Sequence, residues 1–256
     1  MSAGPEPPAG FHTTRWSLVL EAGRPGSDDR SRRALGELFE AYAEPLYAYL
    51  RRTGSERDEA EDLVQALFLL LLRRGDLARV DPARGRFRAW LLTAARHLRS
   101  NERAAARAEI RGGGRAPLSL DLGPAEERFL AEPADPRSPE AAFDAAWARA
   151  TLGRALEALE ADYRAAGRGP LFGALRPLLD GAGGGELSRV AADLGLTSGA
   201  AKMALHRLRN RFREALRREV QGTLADERDL EEELAALQRA LEGPAGVGED
   251  LSPEGP

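Results

Sequence analysis

The chain has 256 residues, 37 Lys and Arg against 41 Asp and Glu, a formal net charge of -4 and no cysteine. Without cysteine there are no disulfides and no thiolate metal sites, and the three histidines, His12, His97 and His206, stand too far apart in sequence to suggest a metal cluster; neither metal nor cofactor is expected. The longest apolar run, Leu67 to Leu72, is far shorter than the roughly 20 residues a membrane helix needs, and no basic-then-apolar leader opens the chain. A soluble protein of a reducing compartment, the cytoplasm, with no membrane insertion is expected.

Residues 1–12 are rich in Pro, Gly and Ala and read as disordered. From there on, Ala, Leu, Arg and Glu dominate and no run of β-branched residues alternates with polar ones, so the fold class is all-α. A helix is predicted from about Arg32 to Arg52, with Leu35, Leu38, Phe39, Tyr42, Leu46, Tyr49 and Leu50 at helical spacing and Pro45 bending or dividing it. Further helices are predicted at about Arg57–Arg74 and Phe87–Ala108. The stretch from Arg115 to Pro139 is proline-rich and acidic (Asp121, Glu126, Glu127, Glu132, Asp135) and reads as an extended, mobile linker. Helices at about Glu140–Ala166 and Leu171–Leu179 follow, then a helix pair, and a last helix at about Ala225–Leu241 before a Gly/Pro tail. The organisation is therefore 1–12 tail, 13–112 first helical domain, 113–139 linker, 140–220 second helical domain, 221–256 C-terminal helix and tail. The low net charge conceals two strongly basic segments balanced by the acidic linker and tail.

One basic segment lies within Leu187–Arg218. Val190, Ala191 and Leu194 share a helical stripe, Gly195 supplies a turn, Leu196 plugs the core, and Thr197 is an N-cap for a helix starting at Ser198. That helix carries Lys202, His206, Arg207, Arg209, Arg211, Arg213, Arg217 and Arg218 against Glu214 alone. A small residue at the crossing, a glycine turn, apolar residues inside and cations outside are what a DNA-reading helix-turn-helix requires; a solvated surface helix is the plainer alternative. The other basic segment interleaves Arg84, Arg86, Arg88, Arg96, His97, Arg99 and Arg103 with Phe87 and Trp90, and adds Asn101. Cations suit phosphates, and an aromatic face suits an unpaired base, although Phe87 also fits a core position. Upstream, Asp58, Glu61, Asp62 and Gln65 open a helix that continues into Phe68 and four leucines, Leu69–Leu72. Successive helical residues point about 100° apart, so this helix is either buried all round or docks one face on a partner protein.

In this order the segments resemble the sigma-70 family, in its compact two-domain extracytoplasmic-function (ECF) group. Glu61-Asp62-Leu63-Val64-Gln65 with Phe68 is similar to the region 2 helix that grips the polymerase clamp. Phe87-Arg-Ala-Trp90-Leu with Asn101-Glu-Arg103 is similar to the part that reads and opens the -10 element, and Leu194-Gly-Leu-Thr197 through Arg209 to the region 4 helix that reads the -35 element. Thr13-Thr-Arg-Trp16-Ser, Arg74-Gly-Asp-Leu77-Ala, Gly112-Gly-Gly-Arg115-Ala-Pro-Leu-Ser-Leu120, Glu132-Pro133-Ala-Asp135 and Asp229-Leu-Glu-Glu-Glu-Leu234 resemble a long planctomycete-type subgroup. Departures are Leu70 and Ala66 in the docking helix and Ala201, Ser198 and Asn210 in region 4.

The resemblance implies a non-enzymatic initiation factor that binds core RNA polymerase through Asp58, Glu61, Asp62, Gln65 and Phe68. It implies that Arg84, Arg86, Arg88, Trp90, Arg96, His97, Arg99, Asn101 and Arg103 act on -10 DNA. Thr197, Ser198, Lys202, His206, Arg207, Arg209, Arg211 and Arg213 would act on -35 DNA. Promoter DNA and bacterial core polymerase are the implied partners, with an anti-sigma factor as a further one. The competing readings are a stand-alone helix-turn-helix regulator and a non-initiating antagonist that occupies the polymerase clamp.

Overall fold

The computed structural model describes residues 19, 22, 29–74, 77, 80, 86–108, 122–131, 138–181, 184–222, 224 and 227–242, without the side chains at 32, 72–74, 101–108, 184 and 227. Among these residues the regular structure is helical throughout, with no strand. The order is α1 (Asp29–Arg52), α2 (Arg57–Arg74), α3 (Phe87–Ala108), α4 (Gly123–Ala131), α5 (Pro139–Ala165), α6 (Gly169–Leu175), α7 (Gly184–Asp193), α8 (Ser198–Gln221) and α9 (Leu230–Glu242), with 3-10 turns at Arg176–Leu178 and Glu227–Asp229. None of these helices is long and apolar enough to cross a membrane.

α1 is the central element of the first half. Leu38, Tyr42, Leu46, Tyr47, Tyr49 and Leu50 are all buried, so more than one of its faces is enclosed. It runs unbroken through Pro45, where a bend or break was expected. Proline removes one backbone donor, but the buried side chains around it keep the helix continuous. α1 ends where Gly54 adopts φ +86° and the Ser55 N–H bonds back to the Leu50 carbonyl at 3.1 Å, a left-handed cap that glycine takes without strain. α2 buries Ala60, Leu63, Val64, Leu67, Phe68 and Leu71 at helical spacing, while Leu69 and Leu70 stay half-buried. α3 adds Phe87, Leu91, Leu92 and Ala95.

A second core joins Leu159 and Tyr163 of α5, Phe172 and Leu175 of α6, Leu178, and Ala204, Leu205 and Leu208 of α8. The two cores are not independent. α5 contributes Phe143, Trp147 and Ala148 to the first and its C-terminal half to the second; α8 likewise reaches the first core with Val220, and α9 with Leu230 and Leu237. At about 1.5 Å per residue the 27-residue α5 spans roughly 40 Å, long enough to serve both. Ser138 starts it as an N-cap, accepting from the Ala141 N–H at 3.2 Å, with Pro139 following where its missing N–H costs nothing.

Part of the expected linker is not extended. Gly123–Ala131 forms α4, docked on α1. The Tyr47 hydroxyl donates to Glu126 Oε2 at 2.6 Å, and Arg51 donates from Nε (3.0 Å) and Nη2 (3.1 Å) to both carboxylate oxygens. The Phe129 ring lies under the Arg51 guanidinium, 4.5 Å from its centroid. Acidity suggested solvation; partners on α1 instead turn one of those acids into a buried anchor. The expected tail at 1–12, the rest of the linker (113–121 and 132–137) and residues 243–256 lie outside the described residues, as do most of the subgroup motifs. The C-terminal helix begins at Leu230 rather than near Ala225, after the 3-10 turn.

Candidate nucleic-acid interface

The helix pair is built as its sequence requires. Gly195 has φ +62°, and the Leu196 N–H returns to the Ala191 carbonyl at 2.8 Å, closing α7. Leu196 itself is half-buried, so it covers the core rather than filling it. The Thr197 hydroxyl accepts from the Ala200 N–H at 3.2 Å and starts α8. Ala201, Ala204, Leu205 and Leu208 then fall on one buried stripe. The opposite face of the same two turns presents Lys202, Met203, His206 and Arg207, all exposed, with Thr197 and Ser198 exposed at the helix start. Met203, 56 % exposed at the middle of this face, is the residue sequence reasoning passed over. The available signal was its register, two residues beyond the buried Ala201.

Further along α8, Arg209 is half-buried, and Arg211 and Arg213 are exposed with partners within the chain. Arg209 donates to the Leu178 carbonyl at 2.7 Å, and the Arg211 guanidinium lies 5.5 Å from the Tyr163 ring centroid. Arg213 donates to Asn210 Oδ1 at 2.7 Å, and the Asn210 amide nitrogen lies 3.2 Å from His206 Nε2. The N-terminal part of α8 presents exposed cations without such partners in the hydrogen bonds above, at the end where the helix dipole also favours an anion.

On α2, Asp58 and Asp62 are exposed, Gln65 is half-buried, and Glu61 accepts from Arg57 Nε at 3.0 Å. Phe68, expected among the docking residues, is 4 % exposed and packs edge-on against Phe39, 4.6 Å between centroids. It belongs to the core under α2, because its helical phase matches Val64 and Leu71 rather than Asp62.

The residues expected to meet -10 DNA are mostly held by the chain itself. Arg86 Nη2 lies 2.7 Å from Glu232 Oε1, and its Nε 3.0 Å from Glu233 Oε2. Arg88 is buried between Asp144 (3.2 Å) and Glu233, with its guanidinium 4.4 Å from the Trp147 ring centroid. Burial pushes the Arg88 pKa down from its ordinary value and pushes the Asp144 carboxyl up, in each case against the neighbouring opposite charge. Arg96 donates to Tyr49 Oη at 3.1 Å and to Glu140 at 2.9 Å, and Arg99 donates to the Thr53 carbonyl at 3.0 Å. Phe87 is core, edge-on to Tyr42 and stacked at 5.6 Å on the half-buried Trp90. His97 is exposed. Arg84 and the side chains of Asn101 and Arg103 lie outside the described residues. The α9 acids that pair with Arg86 and Arg88 had a sequence signal, the run Glu231-Glu232-Glu233, but no rule of spacing ties it to a helix some 140 residues earlier.

No cluster of His, Cys, Asp and Glu able to hold a metal ion occurs among the described residues. Residues 38–109, from α1 to the end of α3, match the sigma-70 region 2 family. The ECF RNA polymerase sigma factor SigL of Mycobacterium tuberculosis is 29% identical over 173 residues, 66% of this chain and 81% of the relative. The ECF RNA polymerase sigma factor RpoE of Cereibacter sphaeroides is 28% identical over 202 residues, 77% of this chain and 94% of that protein. No solved structure matches the chain. The helices that carry Asp58, Glu61 and Asp62 and the basic aromatic segment are thus those that match sigma-70 region 2, and the chain as a whole is similar to ECF RNA polymerase sigma factors.

Proposed function

We propose that the protein is a dissociable initiation subunit that binds core RNA polymerase, recognises -10 and -35 promoter elements and directs transcription to them. The observation that carries this is the geometry of α7 and α8. A glycine turn and an N-capped second helix present Lys202, Met203, His206 and Arg207 on one exposed face, directly opposite the buried stripe, which is the arrangement a major-groove reader needs. Lys202, His206 and Arg207 approach base edges; Thr197 and Ser198, at the helix start, approach phosphate. The exposed Asp58 and Asp62 with Glu61 and Gln65 form the face of α2 that docks on polymerase. A net charge of -4 predicts weak binding to DNA by the free chain, with polymerase supplying the remaining affinity.

Transcription in vitro with purified core polymerase on fragments of the source genome tests this directly. Discrete transcripts that require the protein are expected. Lys202→Ala with Arg207→Ala is expected to abolish them while polymerase association persists, and Asp62→Ala with Gln65→Ala to abolish association. Stable polymerase binding without transcripts would point instead to an antagonist, and tight DNA binding without polymerase association to a stand-alone regulator.

A further inference from the structure

The cations of the α3 segment and their partners come from opposite ends of the chain. Arg86 and Arg88 meet Glu232 and Glu233 of α9 and Asp144 of α5, and Arg96 meets Glu140 of α5. All four acids lie beyond residue 138. α9 is also tied to α8 by Arg217 and Glu231, and it packs against both α5 and α8. Three consecutive acids in its first turn therefore bridge the two halves, Glu232 and Glu233 reaching towards α3 and Glu231 towards α8.

The energetics set this contact apart from ordinary surface pairing. Glu232 and Glu231 are largely exposed, and such pairs contribute little. Glu233 is different: it is 1 % exposed, and it lies against both Arg86 and the buried Arg88. Once a carboxylate is buried, loss of its cations leaves an uncompensated charge, so the closed arrangement needs both arginines and Glu233 together. For a guanidinium, an array of carboxylates on a helix is chemically close to a run of phosphates, and Arg86 and Arg88 cannot serve both at once.

We infer that α9, with the first turns of α5, is an anionic stand-in for DNA: it occupies Arg86, Arg88 and Arg96 and holds the free protein closed, and release of α9 frees them together for promoter DNA. This rests on the proposed -10 role of those cations. It also gives the free chain a second reason to bind DNA weakly, because the cations are covered and not merely outnumbered.

The test measures binding of a random-sequence single-stranded oligonucleotide to the full chain, without polymerase, by fluorescence anisotropy over a range of salt. The variant Glu231→Gln/Glu232→Gln/Glu233→Gln is compared with the wild type and with a charge-matched control, Glu37→Gln/Glu40→Gln/Glu157→Gln, at exposed positions elsewhere. We expect the α9 variant to bind about tenfold more tightly than the control, with a log–log salt dependence steeper by about 0.7 for each cation freed. Adding Arg86→Ala and Arg88→Ala should remove the gain. Equal affinities of the α9 variant and the control would overturn the clasp. A gain that survives loss of both arginines would also overturn it, and would locate the fault in the -10 assignment. Should the α9 variant fail to fold, the native charges are kept. The absence of cysteine allows clean labelling of Ala89→Cys and Ala235→Cys, both at exposed positions. Saturating oligonucleotide should then widen the distance between labels, and an unchanged distance would refute the closed state.

Discussion

Replacing Glu126 measures whether the acidic segment after region 2 is a docked helix or a solvated tether. Its carboxylate accepts the Tyr47 hydroxyl at 2.6 Å and Arg51 through two nitrogens at 3.0 and 3.1 Å, and both partner side chains are buried or nearly so. Glu126→Ala leaves the buried Tyr47 hydroxyl without its acceptor and the Arg51 guanidinium with only its bond to the Ser55 carbonyl and no counter-charge, and breaking a buried pair from one side costs about 3–5 kcal/mol. Glu126→Gln keeps the shape and one acceptor but loses the charge, so about 1–3 kcal/mol is expected. At about 2–4 °C per kcal/mol for a chain of this size, the alanine variant should melt roughly 6–20 °C lower, read by far-UV circular dichroism. The effect also depends on pH. Burial raises the Glu126 carboxyl, but the hydrogen bonds from Tyr47 and Arg51 and the Arg51 charge outweigh it, so the folded pKa lies below its ordinary value. A carboxylate with a depressed folded pKa contributes stability above its unfolded pKa, near 4.3, and loses it as pH falls through the folded value. The stability difference between wild type and Glu126→Gln should therefore be constant near neutrality and shrink in acid. An alanine variant within about 0.5 kcal/mol of wild type, the ordinary range for a surface substitution, would show that α4 is not docked in solution.

Three further substitutions probe the second half. Leu208→Ala empties a position that is 0 % exposed in the second core and should cost about 2–5 kcal/mol in a urea titration. Gly195→Ala meets open space but forces a side chain onto φ +62°, a loss of about 1–2 kcal/mol with the fold retained by circular dichroism. Met203→Ala removes an exposed side chain and should leave thermal stability unchanged while altering the relative use of -35 sequences in transcription, because an apolar group on a groove-facing helix senses the thymine methyl.

How much of this was legible beforehand depends on the range of the interaction concerned. α2 and α3 lie at the predicted residues, and the Thr197 cap, the Gly195 turn and the start of α8 follow from sequence, because caps, turns and helical periodicity act between residues three or four apart. Pro45 does not divide α1, because its local penalty is offset by packing against residues distant in sequence. Phe68 was placed among the polymerase-binding residues, although helical phase alone already grouped it with Val64 and Leu71. α4 was missed because an acid reads as solvent-facing until Tyr47 and Arg51 are known to lie opposite it.

The sequence by itself determined the helical class, the order of the elements and the identity of the basic segments, all encoded in local periodicity and composition. Only the tertiary structure decided which cations are open. On α8, the N-terminal turns expose Lys202 and Arg207, while Arg209 is half-buried and turned to the Leu178 carbonyl. On α3, Arg86 and Arg88 look equally available in sequence yet are held by Glu232, Glu233 and Asp144. A charge's availability is set by what lies within a few ångströms of it, and residues 86 and 233 become neighbours only because α5 and α8 span both cores and bring α9 back against the first.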